Sequence, residues 1–350
     1  MKLKIFIPLL ALIITSIFAV TLHAVVINVN GNVSDGSGEE DQGPWVSGNT
    51  YIVQTSATVP VLQTLTIGPG VIIEFTVTTQ AFTVNGKLAA GGTAAERITF
   101  KPASGLSNWQ RLFFNGADAG TILDNCDIIS AGSGGNPSLY LYNTGINVNV
   151  SNCKITGGGG PGISVGGTSS PGITGTEISG CAGDGINITS ALKVTVTDCI
   201  INNNGGDGID CGTAGTNAPN APVIDGTTSI TNNAGYCLII PPDAMCQLGD
   251  ITISGNGPVG NANKIFVNAG TITINNSLWK KFANVPSYLV GGSITINDGV
   301  TNTIPAGQTL EFTVATAAFT VNGKLAAGGT AAERITFKPA SGLSNWQRLF

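Results

Sequence analysis

Beyond the first two dozen residues, apolar positions recur in two ladders that share one spacing. The first is an isoleucine closing a short motif: Asn-Cys-Asp-Ile at Ile128, Asn-Cys-Lys-Ile at Ile155, Gly-Thr-Glu-Ile at Ile178 and Asp-Cys-Ile-Ile at Ile201. It continues through Ile230, Ile251, Ile272 and Ile294, with steps of 21 to 29 residues. The second ladder runs through Ile163, Ile186 and Ile209, each step being 23 residues. Around both, single apolar and polar residues alternate, as in Ile163-Ser164-Val165 and Val194-Thr195-Val196. Alternation of this kind predicts short strands with one buried side. Two ladders at one period predict a coil of several strands that repeats every turn. One such coil cannot bury its own apolar side, but a stack of them can.

Beneath the shorter period lies a longer one. Residues 81–113 recur letter for letter as 318–350, an offset of 237. The match extends upstream with substitutions, through Tyr51/Tyr288, Val53/Val290, Ile67/Ile304, Gly70/Gly307, Glu74/Glu311 and Phe75/Phe312, with Trp45 opposite Phe282. Identity that includes surface positions indicates recent copying of a long unit. The expected organisation is a signal peptide at 1–24, a leader or N-terminal cap at 25–44, a solenoid unit at 45–281, and a second copy at 282–350 cut off mid-unit. Residues 256–281 are expected to cover or redirect the coil, around Lys264 to Val267 and Leu278 to Lys281. Gly-rich stretches at 131–137 and 156–162, and 215–222, are expected to be loops.

Composition narrows the setting. Lys2 and Lys4 open the chain, an almost wholly apolar run follows, and Leu22-His23-Ala24 offers a small-residue cleavage site. The run is short for a membrane span and is broken by Thr15-Ser16. Export to the cell surface or medium is therefore expected, with no membrane span in the mature chain. Charged residues are a tenth of the chain and the formal charge is −5, which becomes −7 without the two leader lysines. That acidity argues against nucleic acid or an anionic membrane as partner. The single histidine, His23, leaves with the leader, so no histidine base or histidine-ligated metal is expected.

All seven cysteines lie between 126 and 246. Cys126, Cys153 and Cys199 each stand two residues before a ladder isoleucine, which predicts a stack of buried core thiols. Cys211 takes the place of Val165 and Ile188 and reads as core too. Cys237 and Cys246 flank an excursion that a disulfide between them would close. Asn125, Asn152 and Asn202 to Asn204 stand before turns, where stacked side-chain amides are expected to serve the turn backbone.

Candidate chemistry is sparse. The run Asn203-Asn204-Gly205-Gly206-Asp207-Gly208-Ile209-Asp210 superficially resembles the Asn-Thr-Asp-Gly-x-Asp motif of polygalacturonases, which would make Asp207 and Asp210 an acid–base pair. The rest of that family's motifs is missing: no Asp-Asp pair follows, nor Gly-His-Gly, nor Arg-x-Lys. Gly183-Asp184-Gly185-Ile186 is the same turn one coil earlier, so the motif belongs to the repeat. Asp184, Asp207 and Asp210 would form an acidic strip that could hold Ca²⁺, the one cofactor considered. Between 155 and 263 the only basic residue is Lys193, so no base for a lyase stands near.

The run from Thr64 to Phe75, the stretch 81–114 and the Asn-Cys-x-Ile coils together resemble right-handed parallel β-helix domains of large bacterial surface and secreted proteins. The resemblance implies an all-β, right-handed parallel β-helix and an exported setting. It leaves activity open, because this architecture carries adhesins, lyases and hydrolases. The expected function is a non-enzymatic, rod-like structural or adhesive protein, forming stalks or fibres through end-to-end self-association. The alternatives are a polysaccharide lyase or hydrolase at Asp207 and Asp210, or a polysaccharide-binding module using Trp109, Tyr140 and Tyr142 on surface glycans.

Overall fold

The computed structural model describes residues 25–36, 43–145, 148–189, 193–212, 221–257 and 262–350. Residues 1–24, the acidic run Glu39-Glu40-Asp41 and most of the 215–222 loop lie outside the described residues. The chain forms an all-β, right-handed parallel solenoid of about 12 coils. At roughly 4.8 Å per coil this makes a rod on the order of 55 Å long.

Each coil lays down three short strands, and every assigned strand pairing is parallel to the coils above and below. On the first face, Tyr51, Ile73, Phe100, Ile128, Ile155, Ile178, Ile201, Ile230 and Ile253 are successive partners. On the second, the column is Ala57, Phe82, Leu112, Leu139, Ile163, Ile186, Ile209, Leu238 and Ile265. The third face stacks Ile67, Ala90, Leu123, Val150, Ile173, Val196 and Ile224. These side chains are buried and meet in one continuous core. The segment expected to be an N-terminal cap contributes to the rod, since residues Val26–Asn32 pair with the strand Thr50–Val59.

The expected first ladder slips near its end. Ile253, not Ile251, is the partner of Ile230. Ile272 and Ile294 belong to a different sheet, in which Ile272 pairs with Ile296 and Ile294 with Gly270. Spacing alone does not separate residues two apart on one strand, because both face inward.

The corners explain the abundance of Gly and Asn. One residue at the entry to the first face and one at its exit adopt a left-handed conformation. Asn125, Asn152 and Asp198 do so at the entry, with φ of 50°, 52° and 55°. Ser130, Asn203 and Asn232 do so at the exit, with φ of 51°, 55° and 57°. Gly, Asn and Asp tolerate that region best. Of the asparagines expected to form the amide ladder, only Asn204 does so. Asn125, Asn152 and Asn203 are backbone corners, and Asn202 lies outward on a strand. The buried ladder is Asn204–Asn233–Asn256, in which Asn204 Nδ2 donates to Asn233 Oδ1 at 2.9 Å and Asn233 Nδ2 to Asn256 Oδ1 at 2.8 Å. The same oxygens accept backbone N–H groups of the preceding coil: the Asn204 N–H donates to Asn233 Oδ1 at 3.1 Å and the Asn233 N–H to Asn256 Oδ1 at 3.0 Å. Here the N–H donors belong to Asn204 and Asn233, so each amide oxygen serves two donors of its neighbour.

Cys126, Cys153 and Cys199 are buried inward, with Thr176 and Thr228 filling the other rungs of the same column. The Thr176 hydroxyl accepts the Cys153 N–H at 3.3 Å, and Thr228 accepts that of Cys199 at 3.3 Å. Burial pushes the Cys199 thiol up to about 11 and Cys126 well above its ordinary value. All three thiols fill space, and the raised Cys126 and Cys199 are poor nucleophiles. Cys211 is buried too.

Cys237 and Cys246 are free thiols, so the disulfide considered for the excursion between them is not formed. Cys237 turns into the core, within 3.3 Å of the Lys264 carbonyl, while Cys246 reaches the Asp243 carbonyl at 3.1 Å. The excursion is a short 3₁₀ turn, Pro242–Gln247. Asp243 holds it by accepting from the Thr273 N–H at 2.8 Å and the Thr273 hydroxyl at 2.6 Å. A carboxylate with three donors does the closing that a covalent link would have done.

Truncating the ladder should separate core from surface. Ile178→Ala is expected to cost about 2–5 kcal/mol, and Glu177→Ala, which removes an exposed pair with Lys154, under about 1 kcal/mol. Asn233→Ala should cost about 1–3 kcal/mol, because it strands the amides of Asn204 and Asn256. Denaturant unfolding of the three variants checks the order.

Candidate functional site

The outward residues of the second face give the molecule its most differentiated surface. Phe113, Tyr140, Ser164, Asn187, Asp210 and Ile239 are successive partners up the rod. Their inward neighbours are core, so the strands hold these side chains outward at one residue per coil. The lower end of the strip is aromatic and cationic. Phe113 and Tyr140 stack at 5.2 Å with 15° between planes, and Tyr142 lies 5.6 Å from Tyr140. The Arg111 guanidinium sits 4.7 Å from the Phe113 ring centre and donates to Asn136 Oδ1 at 3.0 Å. Burial and the neighbouring Tyr142 raise the Tyr140 hydroxyl above its ordinary value, against the lowering effect of Arg111.

Beside Tyr140 runs a shallow groove of about 310 Å³. Pro137 and Pro161 form walls, and Ser164, Asn187 and Thr189 supply polar groups. Gly166 keeps it open, since a Cβ there would lie 3.1 Å from the Thr189 hydroxyl and 3.3 Å from the Tyr142 ring. An aromatic face beside hydroxyl and amide groups in a shallow groove suits a ring with an apolar face and a polar rim.

Trp109 does not belong to this surface. It is buried, stacked on Phe75 at 3.8 Å with 2° between planes, and its indole N–H donates to the Ile129 carbonyl at 2.9 Å. The inward pull of a large apolar side chain beside a coil corner outweighs any display role. Tyr140 and Tyr142 do face outward, Tyr142 being 36 % exposed. Sequence reading missed Phe113 and Arg111 as members of the strip. The signal available was Phe113-Phe114, where alternation buries one ring and leaves the other outside.

The three aspartates sit at the other end. Asp184 Oδ1 accepts the Asp207 N–H at 2.8 Å, and Oδ2 accepts from Asn187 at 3.1 Å. Asp207 Oδ1 accepts the Tyr236 N–H one coil on, at 2.5 Å. Asp210 Oδ1 accepts the Gly212 N–H at 2.6 Å. Asp184 and Asp207 thus form a carboxylate ladder that stitches successive turns. The ladder explains the flanking glycines: a Cβ on Gly206 would lie 2.2 Å from Asp184 Oδ1, and one on Gly235 2.2 Å from Asp207 Oδ1. Among the described residues, no three carboxylate, thiol or imidazole groups come together so as to hold a metal ion, Asp184, Asp207 and Asp210 included. The Ca²⁺ strip is therefore not assembled here, because the carboxylates turn toward backbone donors instead of one another.

Partial burial raises Asp207 to about 6, with the Asp184 and Asp210 charges adding to the rise and the Tyr236 N–H opposing it. Burial also raises Asp210, again with a contribution from Asp184. A raised carboxylate favours the folded state while protonated, so this contribution is full below about pH 4 and is lost as pH rises toward about 6. Asp207→Asn keeps an oxygen for the Tyr236 N–H and removes the charge. The variant should lose the stability decline between about pH 4 and 6 that the unaltered chain shows, measured as denaturation midpoints across that range.

Residues 111–279 match the family described as right handed beta helix region. That match covers the regular coils, the aromatic groove and the aspartate ladder alike. Neither the curated proteins nor the solved structures compared with the chain match it.

Proposed function

We propose that this protein is a non-enzymatic rod of the cell exterior, a stalk or fibre element whose second face holds polysaccharide in the groove beside Tyr140. The observation that carries the reading is the fate of the aspartates. The carboxylates that would have to act as acid and base are engaged with backbone N–H groups, Asp207 with Tyr236 of the next coil and Asp210 with Gly212 of its own turn. A catalytic carboxylate must be free to reach a reacting oxygen or a water. The solenoid meanwhile supports a long, stiff and repeated surface, which is what a stalk or adhesive fibre needs. The leader at 1–24 supports export, and exposed strand edges at solenoid ends support end-to-end self-association.

One observation favours the enzymatic alternative. Asp207 is raised to about 6 and is followed by Asp210, a raised carboxylate on the same turn. Perturbed carboxylate pairs are a mark of glycoside hydrolysis. The ladder accounts for the same shift through burial, without a substrate.

A glycan array and a turnover panel separate the two. Tyr140→Ala is expected to weaken retention on the polysaccharides bound by the unaltered chain about three- to tenfold, as loss of one ring contact would. Trp109→Ala should act through lost stability, because that ring is core. Turnover of any glycan that disappears in Asp207→Asn and Asp210→Asn would replace the adhesive reading with the enzymatic one.

A further inference from the structure

The two copies of the repeated stretch do not sit on the same faces of the solenoid. In the first copy Tyr51, Ile73 and Phe100 lie on the first face and run into the Ile128 column. Their counterparts 237 residues on are Tyr288, Leu310 and Phe337. These lie on the second face, where they continue the column of Leu238 and Ile265. The same shift holds for the next strand. Phe82 is a second-face residue, but its counterpart Phe319 pairs with Ile294 in the separate sheet that starts at Gly270. The repeat therefore contains a whole number of coils plus one face. We propose that the join between copies turns the repeat by one face, about a third of a turn, so that equivalent surface groups of successive copies look out in different directions.

Residues 264–281 carry the side chains that hold this register. Lys264 Nζ lies 2.9 Å from Glu311 Oε2, with the two side chains only 13 % and 9 % exposed. In the first copy the counterpart Glu74 pairs with Lys101, at 3.1 Å, and the position matching Lys264 is Ile27. Lys264 is thus specific to the join. Lys281 pairs with Glu333 at 3.1 Å and Lys280 with Asp250 at 2.5 Å, so each lysine of this segment meets a carboxylate. Exposed pairs contribute little energy, but a buried pair discriminates between registers, because the wrong register strands a charge. The partners of Glu311 lower its carboxyl below the ordinary value against the effect of burial, with the hydrogen bond from Lys264 foremost among them.

The turn changes what the rod can touch. The Glu74–Lys101 pair marks the first face, and its copy Glu311–Lys338 marks the second. Arg111 covers Phe113 on the second face, whereas Arg348 covers Phe350 at 4.2 Å beyond the strand that pairs with Ala318 and Phe319. Units set in line would offer one adhesive side, suited to a flat surface. Units turned at each join offer their strips around the axis, suited to a polysaccharide network that surrounds the rod. This use of the turn rests on the adhesive reading given above, while the turn itself does not.

Two cross-linking experiments on the full chain test it, and neither involves a glycan. Phe266 and Leu289 are rung partners across the join. Strands about 4.8 Å apart suit a disulfide. Phe266→Cys with Leu289→Cys should oxidise to a linked peptide pair, while Ser254→Cys with Leu289→Cys should not. An in-line second copy would place Tyr288 over Ile253 and reverse that outcome. The unaltered chain gives the second measurement, which holds even if a variant misfolds. Carbodiimide activates a carboxylate, and an amine in contact displaces the urea to form an amide. A mapped Lys264–Glu311 amide is expected. Absence of that amide, or a Ser254–Leu289 link, would overturn the proposal. If the chain is turned but no polysaccharide binds, the adhesive reading fails alone.

Discussion

Everything in this molecule hangs on rung-to-rung register, the alignment of one inward side chain over its equivalent one coil below. Parallel strands share evenly spaced hydrogen bonds along the rod, and those bonds fix which residue lies over which. Once Ile155 sits over Ile128, alternation decides the direction of every neighbour on those strands. The same register brings Asn233 over Asn204 and Asp207 over Asp184, so polar groups stack as strictly as apolar ones. A slip of one residue would bury the outward set and expose the core. The corners prevent it, because left-handed Asn, Asp and Gly residues tie each strand to a set length.

Register also explains why the aspartates belong to the scaffold. In a solenoid every turn leaves backbone N–H groups facing the next coil, and each one that is buried needs an acceptor. Asp184 and Asp207 provide acceptors from the coil before, and the glycines opposite make room for them. The raised value of Asp207 then follows from burial in the stack. The outward aromatic strip has no such structural duty. Phe113, Tyr140 and Tyr142 cover one another in part, and Tyr140 leaves ring surface at the groove. That difference, between groups engaged by the scaffold and groups left at its surface, directs the functional reading toward binding.

Much of this was legible in the chain before any coordinates. The ladder isoleucines, the inward cysteines and the Gly/Asn corners follow from periodicity and from the conformational preferences of single residues. The fold class follows too, because only stacked coils bury two ladders at one spacing. Less legible was which asparagine faces in. Asn203 and Asn204 are adjacent, and only the left-handed corner at Asn203 turns the amide of Asn204 into the core. Likewise Trp109 and Tyr140 are both aromatic residues of neighbouring coils, yet one is stacked on Phe75 inside and the other faces the groove.

The sequence by itself determined that the chain repeats at two scales, that its strands are short and one-sided, and that few groups could do chemistry. These are local properties, carried by residue type and spacing. The tertiary structure decided three things that spacing does not encode. It set the aspartates against backbone donors, left Cys237 and Cys246 apart, and placed the second copy one face further round the rod. Each depends on where a coil closes relative to the one before. Closure is a sum over every corner and bulge in the turn, so identical stretches of sequence can land on different faces.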